Sequence, residues 1–288
     1  MSFLEALMQG IIQGLTEFLP VSSSGHLSLY QHFTGNNGEG ALLFSAVLHL
    51  GTLVAVFIAF RKTICELLVE LFYLIKDIFT GKFKWKAMNP QRRAIIMMVI
   101  SLAMLIPFYI FKDYFERAAE DSDIIIEGLC FLYTSVILFI SDRCVKGNKK
   151  FGDITTKNAV TVGTFQGIAL LPGISRSGST ISSGLFCGFE RETAVQYSFI
   201  LGIPAILGGC LLQVKDAVEQ KALEFDFVNF AVGFIVSAIV GICAIKMVNW
   251  LVKSDKFKVF AIYTFILGIA VIGCLLYTSP SPRDYAAS

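Results

Sequence analysis

Glu17, Ser23 and His26 put a carboxylate, a hydroxyl and an imidazole inside one short run, Gln13-Gly-Leu-Thr-Glu-Phe-Leu-Pro-Val-Ser-Ser-Ser-Gly-His26. A hydroxyl beside a base is a nucleophile for group transfer, and the i,i+3 spacing of Ser23 and His26 gives them one face at a helix start. A second run, Gln166-Gly-Ile-Ala-Leu-Leu-Pro-Gly-Ile-Ser-Arg-Ser-Gly178, repeats the first at an offset of 153 residues. Gly14 matches Gly167, Ser24 matches Ser177 and Gly25 matches Gly178, while the proline slips from Pro20 to Pro172. The echo continues with Phe44-Ser45 opposite Tyr197-Ser198 and Leu48 opposite Leu201. Opposite Ser23 stands Arg176. Around it, Gly173, Ser175, Ser177, Gly178 and Thr180 offer amides and hydroxyls that, with a guanidinium fork, suit phosphate oxygens. Ser22, Ser24 and Gly25 do the same on the first run. Helix breaks at the two prolines leave the following helix N-termini open, and their N–H groups and dipoles favour an anion. One run supplies acid, nucleophile and imidazole; the other supplies a cation. That division is expected of an enzyme site.

Plainer roles exist for several of these residues. Ser22 and Ser175 suit helix N-caps after a proline break, and Gln13 and Gln166 suit hydrogen bonds between helices. His49, in Leu48-His-Leu-Gly51, reads as a hydrogen-bonded packing residue, and His32 as solvated.

The elements that must position these runs are membrane helices. The chain has 288 residues and is 55% hydrophobic but only 16% charged, where soluble domains carry about 25% charge. Apolar runs long enough to cross a bilayer recur at Ala41–Phe60, Ala94–Phe111, Ile124–Ile140, Thr193–Val214, Phe227–Trp250 and Phe257–Tyr277. A formal charge of +2 gives no reason to expect a nucleic-acid partner. The seven cysteines lie singly, without metal or disulfide spacing, and read as small core residues. No cleaved signal peptide is expected, because no basic segment precedes Phe3 and the first apolar run carries Glu5, Gln9, Gln13 and Glu17. Residues 277–288 form a polar tail, disordered or foreign to the chain, and stand outside the single membrane domain 1–276. Its halves are expected at about 1–112 and 124–276.

Loop charges orient the spans. The stretches 61–93, 142–157 and 253–258 are net basic, and 112–123 and 215–226 are net acidic. Basic loops stay cytoplasmic, so the signs alternate inside, outside, inside, outside, inside. Phe3–Leu19 with Ser22–Phe33 must then be a re-entrant hairpin entering from outside. Ala159–Leu171 with Ser175–Cys187 must be its mirror, entering from the cytoplasm, with both tips near the midplane. The fold expected is an all-α integral membrane protein: six transmembrane helices plus two oppositely oriented re-entrant hairpins in an inverted-topology repeat. Leu67–Phe79, broken by Glu70, Lys76 and Asp77, reads as an amphipathic helix at the cytoplasmic interface.

Gln13-x-x-x-Glu17, Pro20-Val-Ser-Ser-Ser-Gly-His26 and Pro172-Gly-Ile-Ser-Arg-Ser-Gly-Ser-Thr180 closely resemble the motifs of the BacA/UppP undecaprenyl-pyrophosphate phosphatases of bacterial membranes. The resemblance covers nearly the whole chain and fails only in the polar tail. It implies hydrolysis of undecaprenyl pyrophosphate to the monophosphate and inorganic phosphate, which recycles the carrier lipid for cell-wall synthesis. It also implies a divalent cation, Mg2+ or Ca2+, a plasma-membrane location, a site facing the outer side, and a link to bacitracin resistance. By position, Glu17 is the motif carboxylate, Ser23 the nucleophile, His26 the acid/base and Arg176 the pyrophosphate clamp, with Ser175, Ser177 and Thr180 in the cradle. Glu17 and Gln13 are the candidate metal ligands. Gln13 stands where the family often has Glu, which weakens a dicarboxylate metal site. Attack by His26, giving a phosphohistidine, and direct attack by water stay open beside attack by Ser23. The expected partners are a polyprenyl pyrophosphate and membrane lipids, with a homodimer as the candidate assembly. The rival function is a transporter or flippase for an anionic or phosphorylated lipid, since inverted repeats with broken helices also build carriers.

Overall fold

The computed structural model describes residues 2–34, 41–85, 88–111, 125–171, 173–219, 226–254 and 256–278. Pro172, residues 112–124 and residues 279–288 are among those that lie outside them. The described residues are helical almost throughout, and their only strand-like feature is an isolated bridge between Lys149 and Phe189.

Local chemistry sets most helix starts. In α1 (Phe3–Thr16), Ser2 and Glu5 form a reciprocal capping box. Helix α2 (Ser23–Thr34) follows a turn in which Ser22 takes a left-handed backbone with φ of 74°. Then come α3 (Ala41–Ala59) and α4 (Arg61–Phe79). Asn89 caps α5 (Pro90–Ala103), which has proline in its first turn, and the short α6 (Leu105–Ile110) prolongs it. Helix α7 (Ile125–Asp142) leads to α8 (Thr156–Ile168), capped by Thr155 and Asn158. Ser175 caps α9 (Arg176–Phe186) by accepting from Gly178 N at 3.0 Å. Last are α10 (Arg191–Glu219), α11 (Phe227–Lys253) capped by Asp226, and α12 (Lys258–Thr278).

Among the described residues five stretches are long and apolar enough to cross a membrane: Leu42–Ala59, Pro90–Ile110, α7, α10 and α11. The sixth expected span, α12, has the shorter apolar run Lys258–Cys274. The seven cysteines are all free.

Two helical hairpins, α1–α2 and α8–α9, reach into this bundle. Helix α1 packs along α11, and α8 packs along α5 and α6; α3 lies between α10 and α11, and α7 runs beside α12. Glycines permit the close crossings. A Cβ on Gly14 would fall 2.8 Å from Ser237 O and from Val240 Cβ, both on α11. A Cβ on Gly163, on α8, would sit 2.8 Å from Met104 Cβ. Between α5 and α8, buried Ser101 donates to Ala159 O at 2.8 Å and meets Tyr197 Oη at 2.9 Å.

The expected amphipathic helix is present and longer, spanning all of α4. Its acids turn toward α5: Glu70 holds Asn89 and Arg92, Asp77 holds Arg92, and Glu66 holds Gln91. With its acids engaged, α4 leaves Leu68, Val69, Phe72, Tyr73, Ile75 and Phe79 exposed.

Candidate active site

The two hairpin tips interlock. Gly173 N donates to Ser24 Oγ at 3.2 Å, and Ser177 Oγ donates to Leu19 O at 3.1 Å. Gly178 lies against Pro20, where an added Cβ would come within 3.3 Å of the proline Cβ. Gly173 has φ of 92° and backs onto Cys130 and Glu127 of α7, so a side chain there would meet both steric and backbone strain.

The reactive groups meet at Glu17, the residue that ends α1. Its buried carboxylate accepts from Arg176 Nη2 at Oε1, and at Oε2 from Ser23 Oγ at 2.8 Å and Gln13 Nε2 at 3.0 Å. His49 Nε2 stands 3.7 Å from the same Oε2. The sequence separates Glu17 from Arg176 by 159 residues, yet they form an ion pair joining one tip to the other. Burying a carboxylate is tolerable only beside such a counter-charge. The guanidinium has room because residue 202 is glycine: an added Cβ would overlap Arg176 Nη1 and lie 3.0 Å from Cζ.

These groups line a cavity of about 220 Å3 between α3, α10 and the tips. Ser22, Ser23, Ser24, Ser175, Arg176 and Ser177 border it, as do Glu17 and His49. Ser22 Oγ accepts from Gly25 N at 3.2 Å and lies 3.3 Å from Ser24 Oγ, so Ser22 is both tip hydroxyl and cap. Ser175 and Ser177 place their hydroxyls 3.3 Å apart.

Glu17, Ser23, Arg176 and Gln13 are therefore brought together as the sequence suggests. His26 is not brought to Ser23. Its Nδ1 lies 2.7 Å from Ser22 O, its Nε2 lies 2.7 Å from Tyr263 Oη, and its ring stacks on Tyr263 and meets Phe131 edge-on. Ser23 turns back toward Glu17, while His26 turns toward α7 and α12. Thr180 also points away, bonding to Arg176 O at 2.9 Å and to Ser198 Oγ on α10. His49, read from the sequence as a hydrogen-bonded packing residue, keeps such a bond, with Nδ1 2.8 Å from Ser45 O, but its Nε2 also faces the site, a placement that sequence reasoning missed. A signal was available: the 153-residue offset aligns His49 with Gly202, just as it aligns Ser23 with Arg176.

Among the described residues no group of three or more His, Cys, Asp or Glu side chains gathers to hold a metal. What the tips offer a cation is the Glu17 carboxylate and Gln13 Oε1, a buried acceptor with no hydrogen-bond donor. A hard divalent cation takes oxygen ligands of this kind, and would draw the rest from phosphate and water.

A family model described as "Bacitracin resistance protein BacA" matches residues 6–270. An undecaprenyl-diphosphatase of Alkaliphilus metalliredigens is 38% identical over 272 residues, covering 94% of this chain and 98% of that protein. Undecaprenyl-diphosphatase 4 of Bacillus thuringiensis subsp. konkukian is 39% identical over 273 residues, with 94% and 97% covered. An undecaprenyl-diphosphatase of Desulforapulum autotrophicum is 40% identical over 275 residues, with 94% and 98% covered.

Proposed function

The chain belongs to the BacA family of bacitracin resistance proteins, and from that premise we propose that it hydrolyses undecaprenyl diphosphate to undecaprenyl phosphate and inorganic phosphate, returning the carrier lipid to cell-wall synthesis. The observation that carries this reading is the Glu17–Arg176 pair, which joins the two tips with Ser23 hydrogen-bonded to the same carboxylate. A diphosphate entering the cavity competes with Glu17 for Arg176 and meets the amides and hydroxyls of both tips. Ser23 Oγ then attacks the terminal phosphorus, its proton passing to Glu17 Oε2. The bond from that phosphorus to the bridging oxygen breaks, and undecaprenyl phosphate leaves. Water cleaves the resulting phosphoserine, releasing phosphate and restoring the serine hydroxyl. Arg176 and the tip amides offset charge at the transferring group. A divalent cation, Mg2+ or Ca2+, held by Glu17, Gln13 and the diphosphate, would supply further charge stabilisation. His26 acts in this reading as a tip-orienting residue through Ser22 and Tyr263.

The reading includes six spans and two opposed re-entrant hairpins, in a single membrane domain with the repeat described above, set in the bacterial plasma membrane with the cavity opening outward. Its support is the alternation of loop charge and the exchanged pairing of α1 with α11 and α8 with α5. The cavity wall on α10 runs from Ala205 to Gln213, toward the end of the helix that enters the acidic stretch 215–226. Helix α4 lies at the cytoplasmic interface in the same arrangement.

The test is phosphate release from undecaprenyl diphosphate by purified protein in detergent, with and without EDTA, beside folded Ser23→Ala and Arg176→Ala variants. Metal-dependent release that falls by about 1000-fold or more in each variant is expected. Substrate bound without turnover by the folded wild type would replace the phosphatase with a carrier or flippase.

A further inference from the structure

Where α3 gives way to α4, a second cavity of about 760 Å3 opens between α3, α10 and α11. It shares no lining residue with the catalytic cavity. One part of its wall is apolar, formed by Ile58, Ile242 and Ile245; the other carries Arg61, Lys62 and Lys246. On the rim Lys253 is neutralised by Glu192, 3.1 Å away. Among the described residues no carboxylate lies within ion-pairing distance of Arg61, Lys62 or Lys246. Three cations without a counter-charge among the described residues, set beside an apolar wall, suit a molecule with a negative head and a hydrocarbon body. A free anion would gain nothing from the isoleucines.

We propose that this groove binds an anionic phospholipid of the cytoplasmic leaflet, its phosphodiester on Arg61, Lys62 and Lys246 and its chains along Ile58 and Ile242. Basic pockets between spans on the cytoplasmic side recognise such headgroups, and the leaflet assignment rests on the loop-charge orientation given above. The lipid bridges the junction of α3 and α4 to α11 and so ties the amphipathic helix to the bundle.

Trp250 lies next to groove residue Asn249 and is one of only two tryptophans, which makes it a reporter. The experiment uses the Trp85→Phe protein in phosphatidylcholine nanodiscs and compares quenching by brominated phosphatidylglycerol with quenching by brominated phosphatidylcholine. Stronger quenching by the anionic lipid at equal mole fraction is expected. The preference should fall about fivefold in Lys246→Gln, and on the order of 100-fold when Arg61 and Lys62 are also changed to Gln, since each cation near a lipid surface contributes about 1 kcal/mol. The Glu192→Gln/Lys253→Gln variant, which removes the rim ion pair whole and leaves the net charge of the groove unchanged, should keep the preference. Phosphate release by all variants reports folding and should stay near wild type, because none of these residues borders the catalytic cavity. Equal quenching by the two lipids in the wild-type groove overturns the proposal whatever the enzyme activity. So does full competition by soluble glycerol phosphate, which would mark a free-anion site.

Discussion

Gly202→Ala is the sharpest test of how the site is assembled, because the residue touches no substrate in the proposed reaction. A Cβ there overlaps Arg176 Nη1 and sits 3.0 Å from Cζ, well inside the roughly 3.5 Å at which carbon contacts become favourable. The guanidinium must retreat by roughly 1 Å or swing out, and it alone holds Glu17 Oε1. A misplacement of that size in a catalytic group costs about 100-fold in rate, or about 2.7 kcal/mol of transition-state stabilisation. Stability should respond differently. Alanine is favoured over glycine inside a helix by about 0.5–1 kcal/mol, which opposes the weakened ion pair. The expected result is a kcat/KM about 100-fold lower with a thermal midpoint within a few degrees of wild type. Gly208→Ala is the control, since nothing lies within 4 Å of a Cβ on that residue of the same helix. Kinetics of both variants in detergent, beside a thermal melt, decide the matter. Wild-type turnover in Gly202→Ala, or an equal loss in Gly208→Ala, would refute the argument that Gly202 exists to seat Arg176.

Three further outcomes follow from single residues. Gln13→Ala removes the amide oxygen offered to a cation, and the Mg2+ concentration for half-maximal phosphate release should rise by about 10-fold; no change in the metal titration would remove Gln13 from the site. Gln166 has neither side-chain nitrogen nor oxygen satisfied, so Gln166→Leu should be neutral or stabilise by up to about 1 kcal/mol, read as an unchanged or higher melting midpoint with activity intact. Ser101→Ala strands the Tyr197 hydroxyl and should destabilise by about 1–2 kcal/mol. Tyr197→Phe in that background should recover part of the loss, and a strictly additive double mutant would deny the coupling.

The site's membership was legible wherever chemistry and repetition coincided. The offset between the tips picked out Glu17, Ser23 and Arg176, and the Ser175 cap was legible from a serine standing just before a helix start. Orientation of side chains was not. Ser23 and His26 are spaced to share a helix face, but Glu17 draws Ser23 one way while Tyr263, 237 residues beyond His26, draws the imidazole the other. Thr180 was read as cradle because of its motif; four residues after Arg176, its hydroxyl instead satisfies the helix's own carbonyl. His49 was masked by its apolar surroundings, where only the repeat offset that sets it opposite Gly202 pointed to the buried carboxylate 32 positions earlier.

Why the halves diverged can be argued from charge and volume. Residues 23 and 176 correspond under the repeat, and so do 49 and 202. One half pairs a small residue with a large one, Ser23 with His49; the other reverses the order, Arg176 with Gly202. The two halves thus fill one cavity without duplicating a group. Two serines would leave Glu17 buried with no guanidinium, and two arginines would crowd a single carboxylate with paired cations; breaking or unbalancing a buried ion pair costs about 3–5 kcal/mol. The partner of Glu17 under the same offset is Leu170, which is why Gln166 has no carboxylate to bond while Gln13 does. A symmetric ancestor could have bound an anion between its tips. In the proposed reaction a nucleophile comes from one side and a clamp from the other, and the exchange of bulk between the halves lets Ser23 and Arg176 reach the same carboxylate.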